Sequence, residues 1–151
     1  MEILTMIKPE AKNFDIKTVA TWEEKRKGYF VTTGWRKPLP FSCPPVFGGT
    51  DHPSPEDLFL AAVATCTLST ILQLCDSLHT EPETLSVTTS AEIQFNRLKN
   101  DYEISTIKCM INISGDVFLL QRVCDLIPKY CIIGKHIKPA INYEIKIEPA
   151  S

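Results

Sequence analysis

A long apolar segment, residues 47–78, constrains the fold of this chain more than any other feature. It opens with a Gly-Gly turn and a proline-bounded start, and then continues with almost no residue that breaks a helix. Residues 59–64 are apolar on every side, and a helix of that kind is normally buried on all sides. Cys66 follows directly, between the hydroxyl residues Thr65 and Thr67. We therefore expect a buried helix that carries a cysteine.

The start of this helix has clear signals. Ser54 is a good N-cap, and Pro55 suits the first helical position. Glu56 and Asp57 place negative charge in the first turn, where it complements the helix dipole. Asp57 also stands three residues after Ser54, a variant of the capping box. The sequence predicts a helix that continues to about Leu78.

The rest of the chain alternates between strands and one further helix. Residues 36–55 contain six prolines, which indicates a long loop or a chain of edge segments. Alternating apolar residues predict strands with one buried face, and an apolar stripe predicts the second helix. The predicted strands are 16–24, 29–35, 85–95, 107–113 and 141–147, and the second helix is 116–130. This order predicts an α+β fold with helices packed on antiparallel sheet.

Length and charge exclude several classes of protein. The 151 residues are most simply one domain, residues 1–151. The net charge of −2 gives no electrostatic basis for binding nucleic acid or an anionic membrane. No apolar run approaches the roughly 20 residues that span a bilayer. The N-terminus lacks the pattern of a secretory signal, so we expect a cytoplasmic protein without nucleic-acid or membrane partners.

The six cysteines are spread along the chain without a CxxC pair, which argues against a zinc ribbon or a thioredoxin-like motif. A chain of this length can build its core without disulfides. Four cysteines fit structural positions: Cys43, Cys75, Cys109 and Cys124. Asp51 and His52 are adjacent loop residues and make no metal ligand set. We expect no metal and no cofactor.

The segment GGTDHPSPEDLFLAAVATCT, together with a late cysteine, closely resembles the OsmC/Ohr family of thiol peroxidases. In that family a Gly-Gly turn precedes an S/N-P-E-x-L helix start, and the reactive cysteine follows the glutamate by ten residues. Glu56 and Cys66 have this spacing, and Cys131 follows Cys66 by 65 residues. The resemblance extends over residues 16–147.

The resemblance implies both a fold and a function. The fold would be OsmC-like, with antiparallel sheets wrapped around a central buried helix in an intertwined homodimer. The function would be reduction of organic hydroperoxides, with Cys66 as the reactive thiol, Cys131 as the resolving thiol and a dithiol as reductant. The family's thiolate is stabilised by an arginine, which the glutamate at the helix start holds in place. Glu56 matches that glutamate, and Arg26, at the first hairpin turn, lies roughly where the arginine falls.

This chemistry has plain physical requirements. The attacking cysteine must be a thiolate, which needs a nearby cation or helix dipole. Its attack on a peroxide leaves a sulfenic acid, and a second thiol can trap that acid as a disulfide before further oxidation. A dithiol then regenerates the pair by exchange.

Two other functions are compatible with parts of the pattern. One is a non-catalytic or redox-regulatory OsmC-like protein that binds an apolar ligand or partner around Cys66. The other is a thioesterase-like fold, which also wraps a sheet around a central helix. The late second helix and the paired cysteines argue against the thioesterase.

Overall fold

The computed structural model describes residues 13–49, 51–138 and 140–151. The predictions about the N-terminal segment, including the lack of a secretory signal, fall largely outside these ranges. The chain forms two compact units, residues 1–59 and residues 60–151, which are described separately. The two sheets and the helices below give an α+β protein, as predicted.

The first unit is built on a three-stranded antiparallel sheet of order β1-β2-β3. Its strands are β1 (Thr18–Glu24), β2 (Lys27–Thr32) and β3 (Trp35–Ser42), followed by a single 3-10 turn, Pro45–Phe47. The first two strands were predicted. The third strand lies where the sequence indicated a loop or edge segments, and it accommodates Pro38 and Pro40 because it is an edge strand.

Helix α1 extends over Pro55–Ser77, close to the predicted bounds. Its start is a reciprocal capping box: Asp57 N–H donates to Ser54 Oγ at 3.2 Å, and Ser54 N–H donates to Asp57 Oδ2 at 2.8 Å. Further along, the hydroxyls of Thr65 and Thr70 donate to the carbonyls four residues earlier, Ala61 and Cys66. These bonds satisfy the hydroxyls inside a continuous helix.

The second unit contains most of α1, a three-stranded sheet of order β4-β5-β6, and two later helices. The elements are β4 (Thr84–Asn96), β5 (Asp101–Gly115), α2 (Val117–Tyr130), α3 (Ile132–His136) and β6 (Ile141–Pro149). Side chains from α1, β5 and α2 form the core, namely Val63, Ile71, Leu74, Cys75, Ile107, Cys109, Ile111, Ile113, Leu120, Val123, Cys124 and Ile127. Of the four cysteines assigned to structural positions, Cys75, Cys109 and Cys124 are buried and Cys43 is half-buried.

Two features of this unit differ from the sequence prediction. Strand β6 pairs with β5 in parallel, so the second sheet is mixed where an antiparallel sheet was expected. Helix α2 between them is the crossover that parallel neighbours require. The five-residue helix α3 was not predicted, and α2 continues through Pro128 to Tyr130 before it ends.

Helix α1 is only partly buried within one chain, although its sequence is largely apolar. Six of its 23 residues are buried, and Leu72 remains 42% exposed. Among the described residues α1 is also the helix that is long and apolar enough to cross a bilayer by length and composition. By that measure the prediction that no apolar run approaches this length was wrong, because scattered hydroxyls do not offset the surrounding apolar residues. A core helix of a soluble protein passes the same test.

Candidate active site

Cys66 lies in the middle of α1, half-buried, at the floor of an open groove of about 380 Å³. The groove combines small and hydroxyl residues of α1 with apolar residues from the end of α2 and the start of α3. Its lining residues are Ala62, Thr65, Cys66, Ser69, Thr70, Gln73, Tyr130, Ile132 and Ile133. A solute can therefore approach the Cys66 sulfur along a surface that is partly apolar and partly hydroxyl-bearing.

Cys131 lies between α2 and α3, where its backbone N–H still donates to Ile127 O at 2.9 Å. This position places its Sγ 3.3 Å from the Sγ of Cys66, with the Cys131 thiol as donor. Both cysteines are free. A disulfide bond is about 2.05 Å long, so a small shift of either side chain would join the two sulfurs. The structure thus brings together the two cysteines that the resemblance singled out.

Two backbone amides of α3 also point at these sulfurs. Ile133 N–H donates to Cys66 Sγ at 3.4 Å, and Gly134 N–H donates to Cys131 Sγ at 3.4 Å. Cys66 Sγ therefore accepts from an amide and from a neighbouring thiol. Sulfur accepts hydrogen bonds best as an anion, so these donors suit a thiolate at Cys66.

Burial raises the pKa of the Cys131 thiol, and the adjacent Cys66 raises it further. Hydrogen bonds from Gly134 and Thr67 act in the opposite direction, but burial is the larger effect. Cys131 is 0% exposed, so its thiol is kept protonated at neutral pH. A protonated Cys131 is the form that donates to Cys66.

A second layer of polar side chains lies behind Cys131. The buried Thr67 has its Oγ1 3.9 Å from Cys131 Sγ, and the Cys109 thiol donates to the same oxygen at 3.8 Å. A hydroxyl has one proton and two lone pairs. While it accepts from Cys109, Thr67 can direct its own proton at Cys131.

The structure places Glu56 and Arg26 in the first unit. One carboxylate oxygen of Glu56, Oε2, is buried and has no hydrogen-bond partner within the described ranges. Arg26 lies in the turn between β1 and β2, where its side chain packs beside Gly48. No ion pair joins Arg26 to Glu56 in the part of the chain that the structure describes. The pairing implied by the resemblance therefore stays a prediction.

Sequence reasoning missed four contributors to the site: Thr67, Ile133, Gly134 and Tyr143. Backbone donors carry no residue signature, so Ile133 gave no signal. Gly134 gave none either, because the sequence predicted no helix at α3. A Cβ built on Gly134 would lie 2.7 Å from the Tyr143 hydroxyl and 3.2 Å from Cys131 Sγ. No group of three or more His, Cys, Asp or Glu side chains that could hold a metal occurs among the described residues.

The sequence model of the OsmC-like protein family matches residues 48–146. The chain belongs to the OsmC-like family. The match covers all of α1, both cysteines of the site and most of β6. None of the curated proteins compared with the chain matches it.

Solved structures of the same fold support the assignment. An OsmC-like protein of unknown function from Vibrio cholerae superposes with a TM-score of 0.75 at 16% identity, covering 89% of this chain and 100% of that one. An organic hydroperoxide resistance protein from Legionella pneumophila gives 0.71 at 18%, covering 91% and 99%. The organic hydroperoxide resistance protein OhrB of Bacillus subtilis gives 0.65 at 15%, covering 89% and 98%. At these identities the likeness shows the OsmC-like fold.

Proposed function

We propose that this OsmC-like protein is a thiol peroxidase that reduces organic hydroperoxides. Cys66 would be the thiol that attacks the peroxide, and Cys131 would be the resolving thiol. The observation that carries the proposal is the 3.3 Å approach of the two sulfurs, with Cys131 as donor. Two relatives of the same fold are named organic hydroperoxide resistance proteins, which supports the substrate class.

The proposed reaction begins at Cys66. Its thiolate attacks the terminal oxygen of the hydroperoxide, the O–O bond breaks, and the alkoxide leaves and takes up a proton to become an alcohol. Cys66 is then a sulfenic acid. The Cys131 sulfur attacks Cys66 Sγ, the S–O bond breaks, and the Cys131 proton leaves with the hydroxyl as water. A dithiol reductant restores both thiols by exchange.

The groove supports an organic rather than an inorganic peroxide. Ile132 is 56% exposed and Ile133 is 36% exposed, and both line the groove beside Cys66. Each methylene of a substrate buried against such a surface contributes about 0.8 kcal/mol to binding. We expect alkyl and aryl hydroperoxides to react faster than hydrogen peroxide.

Glu56 and Arg26 remain the proposed carboxylate and cation of this reaction. A buried carboxylate oxygen without a donor is costly, and a guanidinium is the donor best suited to it. The unpartnered Oε2 of Glu56 supports a cation at that position. Replacing Glu56 by Gln, or Arg26 by Lys, should slow peroxide consumption if the two residues act as a pair.

A homodimer is proposed for the same protein. The supporting observation is that six of the 23 residues of α1 are buried within one chain, while Leu72 stays 42% exposed. We also propose a cytoplasmic location, because a cycle that ends in dithiol exchange suits a reducing compartment. A monomer in gel filtration would contradict the proposed homodimer.

Peptide mapping after treatment with an alkyl hydroperoxide tests the function. We expect one equivalent of peroxide to be consumed and a disulfide to join the Cys66 and Cys131 peptides. Cys66→Ser should abolish rapid consumption, while Cys43→Ser, a cysteine outside the groove, should behave as wild type. The proposal would be contradicted if both thiols stayed free after treatment, or if Cys66→Ser consumed hydroperoxide as fast as wild type.

The competing function is a non-catalytic OsmC-like protein that binds an apolar ligand or partner in the groove. The absence of an Arg26–Glu56 ion pair within the described residues favours it. In that case Cys66 should react no faster with iodoacetamide at pH 7 than Cys43 does, and hydroperoxide should leave both Cys66 and Cys131 reduced.

A further inference from the structure

The two sulfurs of the site differ sharply in their access to solvent. Cys66 is half-buried and opens into the groove, whereas Cys131 is 0% exposed. In thiol–disulfide exchange the attacking thiolate must reach one sulfur of the disulfide, and the other sulfur leaves. A reductant that arrives through the groove meets Cys66.

Burial opposes a thiolate at Cys131, but hydrogen-bond donors around its sulfur offset part of that cost when it leaves. The Gly134 amide donates to its sulfur at 3.4 Å, and the Thr67 hydroxyl lies 3.9 Å away. Stabilisation of the leaving sulfur as an anion speeds exchange, and hydrogen bonds to an anion are stronger than those to a neutral thiol.

Tyr143, on β6, brings a phenol hydroxyl to the vicinity of Cys131. Parallel pairing sets Tyr143 opposite Cys109 on β5. Its hydroxyl lies near Cys131 Sγ, since one Cβ built on Gly134 would come within 2.7 Å of the hydroxyl and 3.2 Å of the sulfur. Glycine is therefore the residue that lets the Tyr143 hydroxyl and the Cys131 sulfur share this space.

The Tyr143 hydroxyl also stays protonated. Burial is the main cause that raises the pKa of Tyr143, and negative charge on Cys131 and Cys109 raises it further. A hydrogen bond to Cys131 acts in the same direction. A phenol that keeps its proton can act only as a donor to an anionic sulfur.

We propose that a thiol reductant attacks the oxidised pair at Cys66, and that Cys131 leaves as a thiolate stabilised by Tyr143, Thr67 and the Gly134 amide. This inference rests on the proposed function, because it concerns the disulfide that the peroxidase cycle would form. Tyr143 is on this account a positioning residue, which acts through Cys131.

The step balances without any further reactant. The reductant thiolate forms a bond to Cys66 Sγ, the Cys66–Cys131 bond breaks, and the electron pair leaves on Cys131 Sγ. The second thiol of the same dithiol then attacks the reductant sulfur that is bonded to Cys66. This closes the reductant's disulfide and releases Cys66 as a thiolate. The dithiol is oxidised to a disulfide, the protein disulfide is reduced to two thiols, and the two protons of the dithiol are conserved.

Peptide mapping can identify which sulfur of the disulfide the reductant attacks. The oxidised protein is prepared with diamide, so that no hydroperoxide chemistry is needed, and is mixed with the monothiol 2-mercaptoethanol. After a rapid quench with acid and N-ethylmaleimide, peptide mapping should show the mixed disulfide on Cys66 and maleimide on Cys131. The reverse distribution would overturn the inference and leave the proposed function standing. Failure of hydroperoxide to form the disulfide that diamide forms would instead count against the function.

Tyr143→Phe tests the donor, and Tyr102→Phe, in the β4–β5 hairpin, is the matched control. We expect Tyr143→Phe to slow reduction of the disulfide by dithiothreitol roughly tenfold, the usual effect of losing one hydrogen bond to a charged group. In a Cys66→Ser background, the pH at which Cys131 is half-alkylated should rise by about one unit in Tyr143→Phe. Equal rates of disulfide reduction in the two tyrosine variants would refute the role of Tyr143. So would an unchanged alkylation midpoint in Tyr143→Phe, provided that this variant unfolds at the wild-type temperature.

Discussion

The thiol of Cys131 donates to the sulfur of Cys66 across 3.3 Å, although 65 residues separate them in the chain. Helix α1 holds Cys66 at the floor of the groove, and the junction of α2 with α3 holds Cys131 beneath it. The buried Cys131 thiol is protonated, and the half-buried Cys66 sulfur accepts a hydrogen bond from it. This division suits the two halves of one reaction, in which the accessible sulfur meets the substrate and the hidden sulfur completes the bond.

Removing Cys131 should expose Cys66 to overoxidation. In Cys131→Ser the sulfenic acid at Cys66 has no thiol partner, so a second peroxide can convert it to the sulfinic acid. Peptide mass mapping after repeated additions of an alkyl hydroperoxide should show a gain of two oxygen atoms on the Cys66 peptide. Cys43→Ser, which keeps the pair intact, should show the disulfide instead. An unmodified Cys66 in Cys131→Ser would contradict the assignment of both thiols.

The sequence predicts α1 well because every local signal agrees. Ser54 and Asp57 form the capping box that their spacing suggested, and the apolar run continues to the observed end of the helix. The direction of β6 was missed because its alternating apolar residues, Ile141, Tyr143, Ile145 and Ile147, form the pattern that is typical of antiparallel sheets with one solvated face. The predicted helix 116–130 between the last two strands was the available signal, since parallel neighbours need such a crossover.

Part of the candidate site could likewise be predicted, and part of it could not. The pairing of Cys66 with Cys131 was implied by the family resemblance, because nothing local relates positions so far apart. The amide donors of Ile133 and Gly134 depend on α3, whose five residues are too few to produce a periodic pattern. Strand β3 was obscured by Pro38 and Pro40, which are tolerated there because the strand lies at an edge of its sheet.

The Ile133 amide can be removed with a proline. Ile133→Pro deletes the N–H that donates to Cys66 Sγ at 3.4 Å, in the first turn of α3, where proline is tolerated. We expect the rate at which Cys66 reacts with iodoacetamide at pH 7 to fall roughly tenfold, because a thiolate loses one charge-assisted hydrogen bond. Ile132→Pro, one residue earlier, keeps the Ile133 amide and should react nearly as fast as wild type. Equal loss in both variants would point to damage of α3 rather than to the amide.

Gly134 should not tolerate even a methyl group. In Gly134→Ala the new Cβ would stand 2.7 Å from the Tyr143 hydroxyl and 3.2 Å from Cys131 Sγ, so at least one of these groups must move. We expect a loss of about 1–3 kcal/mol in the free energy of unfolding and slower formation of the Cys66–Cys131 disulfide. Gly34→Ala is the control, because nothing lies within 4 Å of a Cβ built there. Urea denaturation and timed peptide mapping measure the two effects, and a Gly134→Ala protein that matches Gly34→Ala would refute the close packing.

The capping box at the start of α1 should make stability sensitive to acid. Hydrogen bonds from the Ser54 backbone and hydroxyl lower the pKa of Asp57 below its ordinary value of 3.8. A carboxyl whose pKa is lower in the folded chain stabilises it above the unfolded pKa, and this contribution disappears as the pH falls through the folded pKa. Ser54→Ala should cost about 1 kcal/mol at pH 7, and the difference between variant and wild type should shrink below pH 4 as Asp57 is protonated. Urea denaturation at pH 7 and pH 3 measures this. Glu83 lies far along the chain, and within the described residues its carboxylate accepts hydrogen bonds from Ser151; Glu83→Gln therefore gives the background effect of losing one acid. A Ser54→Ala cost that is the same at both pH values would show that Asp57 does not act through the cap.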